Sequence, residues 1–168
     1  GATITQELAY FTAHLNEYLN HMDDAGHLSA FAKAEKRINI DTSIGSHYFF
    51  EMAKYRAYRI LTKTLGDVYG IDLGCYRNQL IILKEEASLN QIGNAADGSY
   101  YVDTITKQLV EKALEIFKEI EKAGGFIQSL FEGTIQRKIK ESAQQEQQDF
   151  NNGNRVLVGV NKYPNAAL

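Results

Sequence analysis

The proline content is the feature that most restricts how this chain can fold. Its one proline, Pro164, lies near the end, so no proline breaks a helix anywhere in the body of the chain. Apolar residues recur every three or four positions through several long stretches, which is the spacing of one face of an α-helix. The sequence therefore predicts a predominantly helical protein.

The periodicity predicts seven helices. The first begins after Thr3, which has the spacing of a capping box with Gln6, and ends near Gly26. Asp103 is the predicted N-cap of the clearest amphipathic helix, which ends at Gly124-Gly125. The other predicted helices are Ser29–Lys36, His47–Leu65, Tyr76–Ser88, Phe126–Phe131 and Thr134–Asn151. Ser46 is the predicted N-cap of His47–Leu65, and Gly66–Gly74 is the predicted connection after it.

Two short segments are predicted to be extended. Arg37–Ser43 alternates apolar and polar residues, as a strand with two unlike faces does, and its polar face carries Asn39, Asp41 and Ser43. Arg155–Val160 is predicted to form a terminal strand or an extended arm. A stable sheet normally needs three or more strands or a partner, so the sequence indicates part of a larger fold.

Composition excludes several functional classes. The net charge of −3 provides no basic surface to displace counterions from nucleic-acid phosphates. No run approaches the ~18 apolar residues that span a bilayer, and no secretory signal is recognisable. We therefore expect a cytoplasmic protein that binds neither nucleic acid nor membrane. The one cysteine, Cys75, cannot form a disulfide within the chain.

Few residues are candidates for catalysis or metal binding. His14 and His21 lie two turns apart on the first helix, whereas metal ligands on a helix prefer the i, i+4 spacing. Cys75 has no neighbouring histidine or second cysteine that would support a nucleophile role. Glu85-Glu86 is typical of a solvated helix face. The residues themselves therefore predict no catalytic, metal or cofactor site.

Several segments, in order and spacing, resemble the methylmalonyl-CoA mutase family. The run from Phe49 to Ala57 is similar to the family's Phe-Phe-x-Glu-Ile-Ala-Lys-x-Arg-Ala helix. The resemblance implies an α/β, predominantly helical fold, namely part of the (β/α)8 TIM barrel that binds the acyl-CoA substrate in this family. The other matching segments are Gly1–Asn20, Tyr76–Glu86, Asp97–Thr106, Ile120–Gly125, Ile135–Gln148 and Val158–Asn165.

The resemblance also implies that the barrel is incomplete. A whole barrel needs about 250 residues, whereas this chain has 168. Residues 1–65 and 76–168 match separate parts of the family barrel, so we expect one domain that lacks the stretch carrying the family's catalytic histidine. The cobalamin domain, with its Asp-x-His-x-x-Gly motif, has no counterpart, because no histidine here follows an aspartate by two positions.

These departures imply a supporting role. The chain resembles part of a small subunit that pairs with a large catalytic subunit in a heterodimer. Adenosylcobalamin, held by that subunit, would drive the interconversion of methylmalonyl-CoA and succinyl-CoA. The family resemblance makes Asn39, Asp41 and Ser43 the substrate-facing candidates, although Asp41 would repel a malonyl carboxylate, as in a lapsed site.

Two alternatives stay open. The first alternative to the small-subunit interpretation is a fragment of an active mutase chain. The second is a free-standing helical interaction protein that binds a partner, or itself, through apolar helix faces.

Overall fold

Helices make up most of the computed structural model, which describes residues 2–33, 40, 42, 45, 47–73, 98–157 and 160–163. Within these ranges there are six helices, namely α1 Ile4–Asp24, α2 Leu28–Lys33, α3 Tyr48–Tyr69, α4 Tyr100–Lys122, α5 Gly125–Phe131 and α6 Thr134–Asn151. Apart from an isolated bridge residue, Lys162, these ranges contain no β-structure. The predicted helical character is confirmed.

The boundaries of α1, α5 and α6 agree with their predictions to within two residues. The predicted capping box opens α1, since Thr3 Oγ1 accepts from the Gln6 N–H at 3.3 Å and Gln6 Oε1 accepts from the Thr3 N–H at 3.0 Å. The predicted helix Tyr76–Ser88, the end of Ser29–Lys36 beyond Lys33 and most of the strand Arg37–Ser43 lie outside the described residues.

The predicted start of α4 is wrong. The helix begins at Tyr100, and Ser99 is its N-cap, with Oγ accepting from the Val102 N–H at 3.5 Å. Asp103 lies in the first turn instead, where its carboxylate is 2.8 Å from Arg56 Nη1 of α3. Serine and aspartate both suit an N-cap. The ion pair with another helix gives the aspartate a different partner, and the sequence alone does not reveal that partner.

The start of α3 agrees with its prediction to within one residue, but the predicted N-cap and the predicted C-terminal end are wrong. His47 takes the N-cap position instead of Ser46, because the His47 carbonyl accepts the first backbone hydrogen bond of the helix. At the other end, Gly66 lies inside the helix, which stops at Gly70 in the left-handed conformation (φ 66°). A Cβ at Gly66 would stand 2.6 Å from the carbonyl oxygen of Ile71, so close packing explains this glycine.

The apolar core lies between α1, α3 and α4. Phe11 of α1 packs edge-on against the ring of Tyr58 in α3, with 5.0 Å between ring centroids. A second cluster, formed by Leu15, Leu19, Leu65 and Leu73, extends the core towards the other end of these helices. The main cluster consists of Leu8, Ala9, Ala53, Ala57, Tyr58, Leu61, Ile105, Leu109 and Ala113.

The helices α1 and α3 run parallel. Early in α1, Glu7 accepts a hydrogen bond from Tyr58 at 2.8 Å, and later in α1, Asn16 accepts one from Tyr69 at 2.9 Å. Residue numbers therefore increase in the same direction along both helices.

The helix α4 is parallel to both. Its first turn contacts the start of α3 through Tyr101, whose ring centroid is 5.7 Å from that of Phe49. Near its C-terminal end, Glu121 interacts with Asn16 of α1 and with Tyr69 of α3. All three long helices thus begin at one end of the molecule and finish at the other.

Parallel helices that follow one another in the chain need a return segment. A helix of 21 residues is about 32 Å long, and extended backbone covers about 3.3 Å per residue, so a return takes about ten residues. Residues 25–47 separate α1 from α3, and residues 70–99 separate α3 from α4. Both connections are long enough to bring the chain back to the starting end.

After α6 the chain turns back on itself. The Asn161 side chain donates to the Phe150 carbonyl at 3.2 Å and to the Arg155 carbonyl at 2.7 Å, and it accepts from the Leu157 N–H at 2.7 Å. The sequence predicts a strand or an extended arm over Arg155–Val160. The described residues of this range instead lie in a bent part of the chain that the hydrogen bonds of Asn161 stabilise.

The close approach at Gly66 predicts the effect of one added methyl group. Because the Cβ of Gly66→Ala would meet fixed backbone, we expect the free energy of unfolding to fall by about 1–3 kcal/mol, even though alanine favours helices. Chemical denaturation measures the change. Val68→Ala, on the exposed side of the same helix, is the matched control and should have little effect. A Gly66→Ala variant as stable as the parent protein would contradict the prediction.

Candidate functional site

The three predicted substrate-facing residues Asn39, Asp41 and Ser43 lie outside the described residues, and so does Cys75. The interleaved residues Ile40 and Thr42 are described, and both contact the helices. Ile40 packs against the core between α1, α3 and α4, and Thr42 donates a hydrogen bond to Glu7 of α1. Residues 40 and 42 thus contact the same layer, as the predicted alternation requires of one face.

A buried group of charged and hydroxyl side chains lies next to this segment. We call Glu7, Thr42, Glu51, Lys54 and Tyr58 the Lys54 network. The side chain of Lys54 is almost fully buried, with its ammonium 2.8 Å from Glu51 Oε2 and 3.8 Å from Glu7 Oε2. The other Glu7 oxygen accepts hydrogen bonds from the Tyr58 and Thr42 hydroxyls.

The local sequence explains how α3 supplies this network. Glu51, Lys54 and Tyr58 are spaced three and four residues apart, so their side chains lie along one face of the helix. Apolar periodicity does not reveal this face, although a lysine and a glutamate within a run of aromatic and aliphatic residues were the available signal. Glutamate and lysine are rarely buried unless they are paired, and here each has an oppositely charged partner.

The arrangement in the network holds charges in place. Both carboxylates lie close to the Lys54 ammonium, and the hydroxyls of Thr42 and Tyr58 donate hydrogen bonds to Glu7. Proton transfer to a substrate would require a group that reaches beyond its partners. The geometry therefore favours positioning of the chain over acid–base catalysis.

A second polar cluster joins the C-terminal ends of the three parallel helices. Tyr69 of α3 donates to Asn16 of α1, and Asn16 is also hydrogen-bonded to Glu121 of α4. Partial burial raises the pKa of Glu121, and the neighbouring charge of Glu17 raises it further, against the opposing effect of the Asn16 hydrogen bond. Burial likewise raises the pKa of Tyr69, with the Glu121 charge as the next cause.

The raised pKa of Glu121 predicts a pH-dependent effect on stability. A carboxyl with a higher pKa in the folded protein binds its proton more tightly there, so its contribution to the free energy of unfolding falls as pH rises above the ordinary value of 4.5. Glu121→Gln keeps a hydrogen-bond acceptor for Asn16 without the charge. We expect a higher melting temperature than the parent at pH 7 and a small difference below pH 4.

Thermal unfolding between pH 4 and pH 7 tests this expectation. Glu111→Gln, at an exposed position on the same helix, is the matched control and should leave the pH profile unchanged. A Glu121→Gln variant that is less stable at pH 7 than at pH 4, relative to the parent, would show that the sign is wrong.

Exposed aromatic side chains gather where α3 and α4 begin. We call Tyr48, Phe49, Phe50, Tyr100 and Tyr101 the aromatic patch. Their exposed fractions run from 40% for Phe50 to 86% for Tyr100. The ring of Phe49 contacts those of Tyr48 and Tyr101 edge-on, at centroid distances of 5.6 and 5.7 Å respectively. Contiguous exposed apolar surface of this kind is typical of sites that bind another molecule.

His14 and His21 both lie at exposed positions on α1. His14 stacks on Phe126 and Tyr18 at an exposed position, and His21 lies 3.6 Å from Glu17 on the exposed surface of α1. Within the described ranges, no group of three or more histidine, cysteine, aspartate or glutamate side chains could hold a metal ion.

No helix in the described part of the chain has both the length and the apolar character needed to cross a bilayer.

Comparison with known proteins identifies the family. The family model described as methylmalonyl-CoA mutase matches residues 1–71 and 75–167, which is nearly the whole chain. The chain belongs to the methylmalonyl-CoA mutase family. The family resemblance of the individual motifs, from the Phe49 helix to the C-terminal segment, is confirmed. No solved structure shows a significant match to this chain.

Three relatives show how the chain relates to other mutases. It is 28% identical to the methylmalonyl-CoA mutase small subunit of Porphyromonas gingivalis, over 98% of this chain and 36% of the relative. It is 28% identical to the methylmalonyl-CoA mutase of Cereibacter sphaeroides, over 97% of this chain and 31% of the relative. It is 40% identical to the Escherichia coli mutase, over 52% of this chain and 12% of the relative.

The chain spans about a third of the length of the first two relatives. The alignment with the Porphyromonas protein covers 227 residues, whereas this chain has 168, so at least 59 aligned positions have no residue here. The family model likewise leaves out residues 72–74 between its two matched segments. The mutase relatives therefore contain sequence within the aligned region that this chain lacks.

Proposed function

We propose that this chain is a non-catalytic portion of the small subunit of an adenosylcobalamin-dependent methylmalonyl-CoA mutase. Its role is to pack against and support the large catalytic subunit. The observation that carries the proposal is the aromatic patch, which offers exposed apolar surface at the start of two neighbouring helices. The likeness to the Porphyromonas small subunit over 98% of the chain supports the assignment.

The proposed fold is the helical layer of an incomplete (β/α)8 barrel, built as a single domain from residues 1–65 and 76–168. The parallel directions of α1, α3 and α4 support it, because every helix in the outer ring of such a barrel runs the same way. In such a barrel a strand lies between each helix and the next, and the connections between these helices are long enough to include one. The break at residues 72–74 between the two segments that the family model matches supports the junction near residues 65–76.

The partner we propose is the large subunit, in a heterodimer that interconverts methylmalonyl-CoA and succinyl-CoA. Adenosylcobalamin belongs to that subunit and supplies the radical chemistry when bound. Aromatic residues are enriched at the centres of protein interfaces, since they bury large apolar areas at low entropic cost. In this assignment Asn39, Asp41 and Ser43 lie on a lapsed substrate-facing strand and take no catalytic part.

Binding to the large subunit should depend on the aromatic patch. Phe49→Ser with Tyr101→Ser removes two rings that contact each other, and we expect the Kd for the cognate large subunit to rise at least about tenfold. Both side chains are exposed, so the variant should keep the melting temperature of the parent. Gel filtration of the mixed proteins and titration calorimetry measure the loss.

The matched control is Val68→Ser, which removes an exposed apolar side chain near the opposite end of α3. It should bind as the parent does. Binding of the double variant with unchanged Kd would count against the patch as the contact surface. A parent chain that remains a monomer in the presence of the large subunit would overturn the subunit assignment itself.

One observation favours a second candidate function, a fragment of an active mutase chain. The chain is also 28% identical to the Cereibacter mutase, over 97% of its length. Sequence identity therefore does not separate the likeness to the small subunit from the likeness to that mutase. Inserting the corresponding segment of the Cereibacter mutase after residue 71, together with that protein's cobalamin domain, decides between the two. Isomerase activity in the extended protein would favour the fragment, and an inactive but folded protein would favour the small subunit.

A further inference from the structure

We propose that the ion pair between Arg56 and Asp103 sets how far α3 lies along α4, and thereby joins the two halves of the aromatic patch into one binding surface. The inference rests on the proposed function, in which a partner binds at this patch. Arg56 and Asp103 are positioning residues that act through the rings of the patch. The α3 half consists of Tyr48, Phe49 and Phe50, and the α4 half consists of Tyr100 and Tyr101.

Among the described residues, a ring contact and an ion pair join the start of α3 to the first turn of α4. The ring centroids of Phe49 and Tyr101 lie 5.7 Å apart, and the two rings are perpendicular. Arg56 Nη1 lies 2.8 Å from Asp103 Oδ1. Phe49 and Arg56 are two helical turns apart and so lie along the same side of α3, while Tyr101 and Asp103 share one turn of α4. Both contacts therefore depend on the same placement of α3 beside α4.

The two contacts span different distances along the two helices. At a rise of about 1.5 Å per residue, Phe49 and Arg56 are about 10 Å apart along α3, whereas Tyr101 and Asp103 are about 3 Å apart along α4. The long Arg56 side chain makes up the difference by extending back towards the start of α3, the direction in which helical side chains lean. A shift of α3 along α4 by one turn, about 5.4 Å, would separate both pairs.

Partial burial makes the ion pair resist such a shift. The side chains of Arg56 and Asp103 are 31% and 44% exposed, and the Nη1 atom that faces the carboxylate is itself buried. Moving Asp103 away would leave that part of the guanidinium buried without its opposite charge, which costs more than separating a fully exposed pair. The two helices are therefore favoured in the one placement that keeps the pair together.

The neighbouring core supplies little of this resistance to sliding. On either side of Arg56, α3 contributes Ala53 and Ala57 to the shared core, and single methyl groups form shallower ridges than large side chains do. The large core residue of this stretch, Tyr58, packs its ring against Phe11 of α1. The ion pair thus adds a directional contact with α4 that alanine packing does not provide.

Nuclear Overhauser effects between aromatic rings test the positioning in the protein alone. Arg56→Met removes the positive charge and leaves Asp103 in the first turn of α4, where a carboxylate still favours the N-terminus of the helix. We expect the cross-peaks between Phe49 and Tyr101 to be lost in this variant. The cross-peaks between Tyr48 and Phe49 should be unchanged, because that 5.6 Å contact lies within α3.

Binding to the large subunit tests whether the positioning matters for the proposed function. Arg56→Met and Asp103→Asn should each raise the Kd at least about threefold, and the double variant should raise it no further, because either change breaks the same pair. Arg137→Met breaks an exposed ion pair with Glu141 on α6 and is the matched control. It should change neither the Kd nor the ring cross-peaks.

The cross-peaks between the core rings of Phe11 and Tyr58, 5.0 Å apart, show in each variant that the fold is intact. If Arg56→Met loses them, the nearly isosteric Asp103→Asn decides the outcome. Retention of the Phe49–Tyr101 cross-peaks in the variants would overturn the inference, and so would a parent-like Kd in a variant that has lost them. A parent chain that does not bind the large subunit would refute the proposed function, whereas the cross-peaks would still decide whether the ion pair positions the rings.

Discussion

The parallel direction of the three long helices is the constraint on which the rest of this structure depends. Two consecutive parallel helices can share a core only if the chain returns along their length between them, and the connections at residues 25–47 and 70–99 are long enough for that return. The core residues of α1, α3 and α4 then meet side by side. The same arrangement places the starts of α3 and α4 together, and this is why their exposed aromatic side chains form a single patch.

Charge placement follows from that arrangement. Near the start of the helices, the Lys54 ammonium lies close to two carboxylates in the packed layer, and near the end, burial and the neighbouring Glu17 charge raise the pKa of Glu121. The first arrangement offsets the cost of burying charge, whereas the second costs stability at neutral pH. The end that carries the aromatic patch therefore has paired buried charges, whereas the opposite end has a carboxylate whose charge lowers the stability at neutral pH.

Much of this structure could be predicted from local sequence patterns. The capping box at Thr3 and the limits of α6 are confirmed because they depend on neighbouring residues only. Asp103 and Gly66 were misread because each is determined by contact with a distant or returning part of the chain, Arg56 in one case and Ile71 in the other. Lys54 has a local partner, Glu51, and a distant one, Glu7, that is 47 positions away and that periodicity does not reveal. The family motifs indicated function where periodicity could not.

The order of the helices also affects how the chain is made. Leu8 and Ala9 of α1 belong to a core that is completed by Ile105, Leu109 and Ala113 of α4, almost a hundred residues later. At ribosomal rates of 5–20 residues per second, that interval lasts roughly 5–20 s. During that time the apolar face of α1 has no complete core to enter and is available to chaperones or to other nascent chains. For this protein, the speed of translation determines how long its first helix is at risk of aggregation.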